Sequence, residues 1–297
     1  MTTTGRAINQ IGVHALVFAA GWSPQEAAHA ATSTVAAGYD LLEIPLLDPR
    51  TVDGPATAAL LRQHGIQASC SLGLSFDTDI SSEDRATVSA GERLLHDALE
   101  VAAEVGSAYL SGVIFSAMGK YTRPASAKGR ANSVAVLREV AQAAAAHGIT
   151  VGLEAVNRYE TNLVNTVSDA LGHIDAIGQD NVVVHLDTYH ANIEEGDLAR
   201  PVRLAGDRLG YVHVGESHRG YLGSGTVDFA AFFRALVLAE YAGPITFESF
   251  SSAVVSLDFA AALGVWRNLW DEGDDLARHA RSFIAEQLLS AQHLNDN

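Results

Sequence analysis

Thr150-Val151-Gly152-Leu153-Glu154-Ala155-Val156 is a short apolar run with one carboxylate near its end. The pattern returns in Val182-Val183-Val184-His185-Leu186-Asp187-Thr188, in Tyr211-Val212-His213-Val214-Gly215-Glu216 and in Ile245-Thr246-Phe247-Glu248-Ser249-Phe250. Continuous apolar runs of this kind mark strands buried on both faces, as in a parallel sheet. Moving toward the N-terminus, residues 11–19, 39–46, 66–74 and 108–115 read the same way, which makes eight strand candidates.

Alanine-rich helical patterns separate the runs. Ser23-Pro24-Gln25-Glu26 has the form of an N-cap, a proline at the first helical position and an acidic first turn. Gly38, Gly65, Gly106, Gly148, Gly178, Gly210 and Gly243 each follow a helical pattern and precede a strand, where a left-handed residue would end the helix. Eight βα units in series predict an α/β fold with a parallel sheet. At 297 residues the expected closure is a single-domain (β/α)8 TIM barrel over residues 1–290, with a tail at 291–297. An open doubly wound sheet is the structural alternative. Residues 257–289 read as the eighth helix with an extension.

Composition narrows the function. The net charge of −16 repels phosphate backbones and offers no basic face to anionic lipid, so neither nucleic acid nor membrane is an expected partner. A neutral small molecule such as a free sugar suits that charge better. Cys70 is the single cysteine, so no intrachain disulfide or thiolate zinc cluster can form, and a cytoplasmic setting is expected. Arg6 followed by the apolar residues 11–20 resembles an export signal, but the run is too short to span a bilayer and fits a first buried strand better.

Functional side chains of a βα barrel stand at the C-terminal ends of its strands. Glu154, Asp187, His213 and Glu248 occupy such positions on four consecutive strands, at spacings of 33 (154 to 187), 26 (187 to 213) and 35 (213 to 248) residues. Each step is about one βα unit. A lone strand-end glutamate is more often a salt-bridge partner, and a lone histidine in an apolar strand is more often a hydrogen-bonded core residue. Four in succession are harder to explain that way, because crowded buried carboxylates repel unless a cation compensates them. Three carboxylates and an imidazole form an oxygen-rich, fairly hard donor set. One divalent ion per subunit is therefore expected, Mn2+, Mg2+ or Co2+, among which donor softness does not choose; Mn2+ is put first.

Two glutamates beside one metal also suggest a reaction. A metal gripping a carbonyl oxygen acidifies the adjacent C–H, and inversion of that carbon needs a base on one face and an acid on the other. Glu154 and Glu248 fit those catalytic roles. Glu160, His190 and Arg219 lie just beyond strands five, six and seven and are candidates for binding sugar oxygens. Trp22 and Phe250 are candidates for apolar walls. Trp266 and Trp270 are one helical turn apart and fit either an interface or the core.

These residues resemble the ketose 3-epimerases, a group covering D-tagatose, D-allulose (D-psicose) and L-ribulose 3-epimerases among the xylose-isomerase-like barrels. The resemblance is carried by Leu153-Glu154-Ala155-Val156-Asn157-Arg158-Tyr159-Glu160-Thr161-Asn162, by the run from His185 to Glu195, by His213-Val214-Gly215-Glu216-Ser217-His218-Arg219-Gly220 and by Ile245 to Phe250. It is dense over about residues 150–255 and looser through Leu42-Glu43-Ile44-Pro45-Leu46 and Gly112 to Tyr121. It implies metal ligation by Glu154, Asp187, His213 and Glu248, and exchange of the C3 proton of a free ketose by Glu154 and Glu248 through a cis-enediolate. It also implies that Glu160, His190 and Arg219 hold the oxygens near C1 to C3, and that the chain forms a homodimer or homotetramer. His14 and Ala15 depart from the pattern by standing where tyrosines often occur, and His14 would face the far end of the sugar. Aldose–ketose isomerisation on the same barrel, metal-dependent phosphodiester cleavage and a non-catalytic metal- or sugar-binding barrel are the competing readings. The charge opposes the second of these.

Overall fold

A computed structural model of the chain describes residues 9–295. Arg6 and residues 296–297 lie outside the described residues. Eight strands, Ile11–His14 (β1), Leu41–Pro45 (β2), Gln67–Leu74 (β3), Tyr109–Ala117 (β4), Thr150–Ala155 (β5), Val182–Asp187 (β6), Leu209–Val214 (β7) and Ile245–Phe247 (β8), pair in parallel and in sequence order. The ring closes where β1 pairs with β8, Val13 against Phe247. The expected TIM barrel is therefore the fold.

The helices are Pro24–Ala36 (α1), Gly54–His64 (α2), Arg85–Val105 (α3), Ala127–Ala146 (α4), Val167–Ile177 (α5), Thr188–Glu194 (α6), Ala199–Ala205 (α7), Phe229–Leu238 (α8), Leu257–Ala262 (α9) and Gly273–Asn295 (α10). Ser23 caps α1 as its sequence predicts: its hydroxyl accepts from the Glu26 backbone, and the Glu26 carboxylate accepts from the Ser23 backbone. Among the described residues, no helix is long and apolar enough to cross a membrane.

Five of the seven predicted glycine stops, at 38, 65, 106, 148 and 178, are left-handed, with φ between 67° and 82°. The other two are not. Gly210 lies inside β7, where a Cβ would stand 2.4 Å from Val183; it is glycine because the neighbouring strand packs against it. Gly243 is likewise absent from the left-handed set, and the stops in those two places are Gly206 (φ 53°) and Glu240 (φ 51°). The region expected as the eighth helix with an extension, 257–289, forms α9 and α10, separated by a segment with a left-handed turn at Gly264 (φ 68°). The boundary expected at 290 falls inside α10, which runs to Asn295.

The outward strand residues, such as Val13, Leu42, Ile44, Leu153, Val184 and Phe247, pack under the helices in one continuous apolar core. The inside of the ring is polar. Ser69 on β3 hydrogen-bonds the Tyr211 hydroxyl on β7 (2.6 Å), which also meets Thr246 on β8 and Glu43 on β2 (2.8 Å each). Side chains from four strands can meet this way only by pointing inward. TIM-barrel interiors are usually layers of branched apolar residues; here hydroxyls and a carboxylate replace them beneath the mouth.

Candidate active site

Four inward side chains converge at the C-terminal mouth. Glu154 is near the end of β5, Asp187 ends β6, and His213 stands opposite Asp187 on β7. Glu248 follows β8, its backbone N–H bonded to the Val214 carbonyl (3.1 Å). Each contributes one ligand atom to a cluster in which all four atoms lie within 4.8 Å of one another. All four residues are buried. Local structure fixes Asp187: one of its oxygens caps α6 by accepting from the Tyr189 backbone (2.8 Å), which leaves the other facing the cluster.

The field here is asymmetric. Burial pushes the Glu154 carboxyl up to about 8 against the pull of His213, and the neighbouring Glu248 and Asp187 add to the rise. Burial likewise raises Asp187 to about 6, with Arg219 opposing. Glu248 is equally buried but falls below the ordinary carboxylate range, because His213 and Arg219 outweigh desolvation. The Arg219 guanidinium donates to Glu248 at 2.6 Å and approaches Asp187 at 3.4 Å. Two glutamates in one cluster thus differ in proton affinity, the usual sign of paired acid and base.

Hydrogen bonds fix the histidine tautomers. His190 Nδ1 accepts from the Asn157 backbone N–H (3.2 Å) and lies 2.8 Å from the Asn157 amide. Its proton therefore sits on Nε2, which faces Asp187 (3.6 Å) and Glu154 (3.8 Å). Burial holds this ring neutral, well below the usual histidine range. His14 is fixed in the same sense, since its Nδ1 accepts from the Leu16 backbone (3.2 Å).

Glu160, His190, Arg219, His14 and Phe250 all line one pocket with Glu154, His213 and Glu248. Arg219 adopts a left-handed backbone (φ 61°) and stacks on Tyr189, 3.8 Å from the ring centroid. Trp22 is not brought there. The chain turns outward after β1 to enter α1, and the Trp22 indole donates to Thr57 (3.0 Å) in a separate groove between α1 and α2. Sequence reasoning gave no role to Asn157, whose amide also donates to Glu160 (2.8 Å). It also gave none to Glu43, which meets His213 at 2.8 Å.

The donor set suits a divalent ion. His213 Nδ1 is buried without a hydrogen-bond partner, 3.4 Å from Glu248 and 3.6 Å from Glu154. A buried imidazole nitrogen crowded against three carboxylates is costly unless a cation joins them.

A family profile described as Xylose isomerase-like TIM barrel matches residues 31–287. An L-ribulose 3-epimerase of Methylomonas sp. (strain DH-1) is 51% identical over 94% of this chain and 97% of its own length. The chain belongs to the ketose 3-epimerase family. Within the ketose 3-epimerases, one from Arthrobacter globiformis is 50% identical over 94% of this chain and 96% of its own. The crystal structure of a D-allulose 3-epimerase from Methylomonas sp. in complex with D-allulose superposes with a TM-score of 0.93 at 50% identity, covering 95% of this chain and 98% of that one.

Proposed function

We propose that this protein reversibly epimerises free ketoses at C3. The pairs are D-fructose/D-allulose, D-tagatose/D-sorbose and L-ribulose/L-xylulose. One divalent ion per subunit, Mn2+ before Mg2+ or Co2+, would be held by Glu154, Asp187, His213 and Glu248. The observation that carries the reading is the convergence of two buried glutamates, an aspartate and a histidine, with one ligand atom of each within 4.8 Å of the others. Relatives named for ketose and L-ribulose 3-epimerase activity support it.

The bound ion would polarise the substrate carbonyl and so acidify the C3–H. One glutamate takes that proton and the other returns a proton to the opposite face of a cis-enediolate; the roles exchange with direction. The Arg219 guanidinium, donating to Glu248 at 2.6 Å, orients that carboxylate, and Glu154 shares the cluster with it. The His190 Nε2–H and Arg219 donate to sugar oxygens near C1 to C3, and Glu160 accepts from a hydroxyl. Phe250 gives an apolar wall and His14 meets the far end of the sugar; Trp22 takes no part. The acidic charge suits a neutral sugar, and we place the enzyme in the cytoplasm as a homodimer or homotetramer.

The test is incubation with Mn2+ and D-fructose, D-tagatose or L-ribulose in D2O. Deuterium at C3 is expected. Its absence from all three sugars refutes the proposal, and label at C1 instead indicates aldose–ketose isomerisation. Glu154→Gln and Glu248→Gln should each lower kcat by roughly 10²–10⁴-fold, with circular dichroism unchanged; near-normal turnover in either variant excludes the two-glutamate mechanism.

A further inference from the structure

We propose that Glu43 is a positioning residue of the metal centre: from inside the barrel it holds His213 in the one tautomer and orientation that aim Nδ1 at the ion. The inference rests on the metal-dependent reading above and extends it to a residue outside the four ligands.

Glu43 lies in the middle of β2 and is wholly buried. Its Oε2 accepts from His213 Nε2 and from the Tyr211 hydroxyl, both at 2.8 Å. Among the described residues its ion-pair partners are two histidines, His213 and the more distant His14 at 3.7 Å, with no lysine or arginine. A carboxylate sealed inside a barrel beside three others is an expensive placement, and barrel closure does not require it. Its geometry toward His213 accounts for it. A carboxylate accepts, so His213 keeps a proton on Nε2, and Nδ1 is the nitrogen that is freed for an ion. That nitrogen is the one that has no hydrogen-bond partner and faces Glu154 and Glu248. Without Glu43 the ring can move its proton to Nδ1 and donate it to either glutamate, which removes a metal donor. Carboxylates on the far nitrogen of a ligating imidazole fix its orientation and raise its basicity, and their loss typically lowers metal affinity 10- to 100-fold.

Tyr211 has a different role. Its hydroxyl shares Glu43 Oε2 but also meets Ser69 and Thr246, so it steadies the carboxylate without setting the histidine proton.

The experiment strips wild type, Glu43→Ala, Glu43→Gln and Tyr211→Phe with a chelator. It then measures Mn2+ affinity by calorimetry, with free Mn2+ followed by electron paramagnetic resonance, and the Tm of each metal-free protein. Glu43→Ala should bind Mn2+ about 100-fold more weakly. Glu43→Gln should lose about 10-fold, since its amide oxygen still accepts from His213. Tyr211→Phe should stay within about 3-fold, well short of either. If both Glu43 variants bind Mn2+ like wild type while their metal-free Tm falls, Glu43 is only a structural brace and the proposal is wrong. Should Glu43→Ala not fold, Glu43→Gln alone decides by the same criterion. Wild type that takes up no Mn2+ would overturn the metal reading itself, an outcome distinct from normal binding by the variants.

Discussion

Asn157 ties two pocket residues together with one amide, which donates to Glu160 and lies against His190 Nδ1, both at 2.8 Å. Removing it leaves a buried carboxylate and imidazole with fewer partners and freer rotamers. Asn157→Ala should raise KM for ketose roughly tenfold, the worth of about one buried hydrogen bond to a charged group, with a smaller change in kcat; steady-state kinetics at saturating Mn2+ reads the split, and an unchanged KM counts against the role. Residues of this kind are hard to read from sequence. Glu154, Asp187, His213 and Glu248 are legible because each interrupts an apolar run at a strand end. Glu43 interrupts one too, but mid-strand, where it looks like an ordinary ion-pair partner. Only folding brings it to His213, 170 residues away in the chain.

Among the elements, the segment between α9 and α10 matters most for the pocket. Arg219 is one of the two non-glycine residues with positive φ among the described residues. Its carbonyl accepts from the Ser249 hydroxyl (2.5 Å) and from the Trp270 indole (3.3 Å), and Trp270 also donates to Ser249 (2.8 Å). The strand-eight turn and the α9–α10 segment thus hold the arginine in a conformation it would otherwise avoid. Trp270→Phe keeps the packing and deletes the donor, so KM should rise several-fold with Tm lowered by only a few degrees. A variant with wild-type KM would show that Arg219 holds itself. Trp270 is buried here while Trp266 is 79% exposed, so the two tryptophans, alike in sequence, have separate surroundings. Reading 257–289 as the eighth helix with an extension does not place the break, because apolar residues recur on both sides of it. The break lies around Gly264.

The whole molecule carries its charges in a way that links metal, proton and stability. Glu154 holds a proton more tightly folded, at about 8, than its ordinary value of 4.5. Its contribution to stability is therefore full below pH 4.5 and is lost as pH rises through about 8. His213, also raised, acts in the same direction. His14, His185 and His190 are lowered, so above pH 6.5 they are neutral folded or unfolded and contribute no slope. The metal-free protein should consequently lose a few degrees of Tm between pH 6.5 and 8, while the Mn2+-loaded protein should not, and Mn2+ affinity should rise over that range as protons leave the site. Differential scanning calorimetry of both forms checks this; parallel Tm curves would contradict it. The barrel itself is legible from the eight apolar runs. The polar interior is not, because Ser69, Ser71, Ser111, Thr246 and Tyr211 are residue types that strands tolerate on either face, and only closure turns them inward.

Closure also sets an order of events during synthesis. The strand that seals the ring joins residues 11–13 to residues 245–247, so the first stave made waits for the last. Until the ribosome has released β8, the growing polypeptide carries two bare sheet margins, β1 and β7, either able to pair with another chain. The native partner of each is β8, which is made after both.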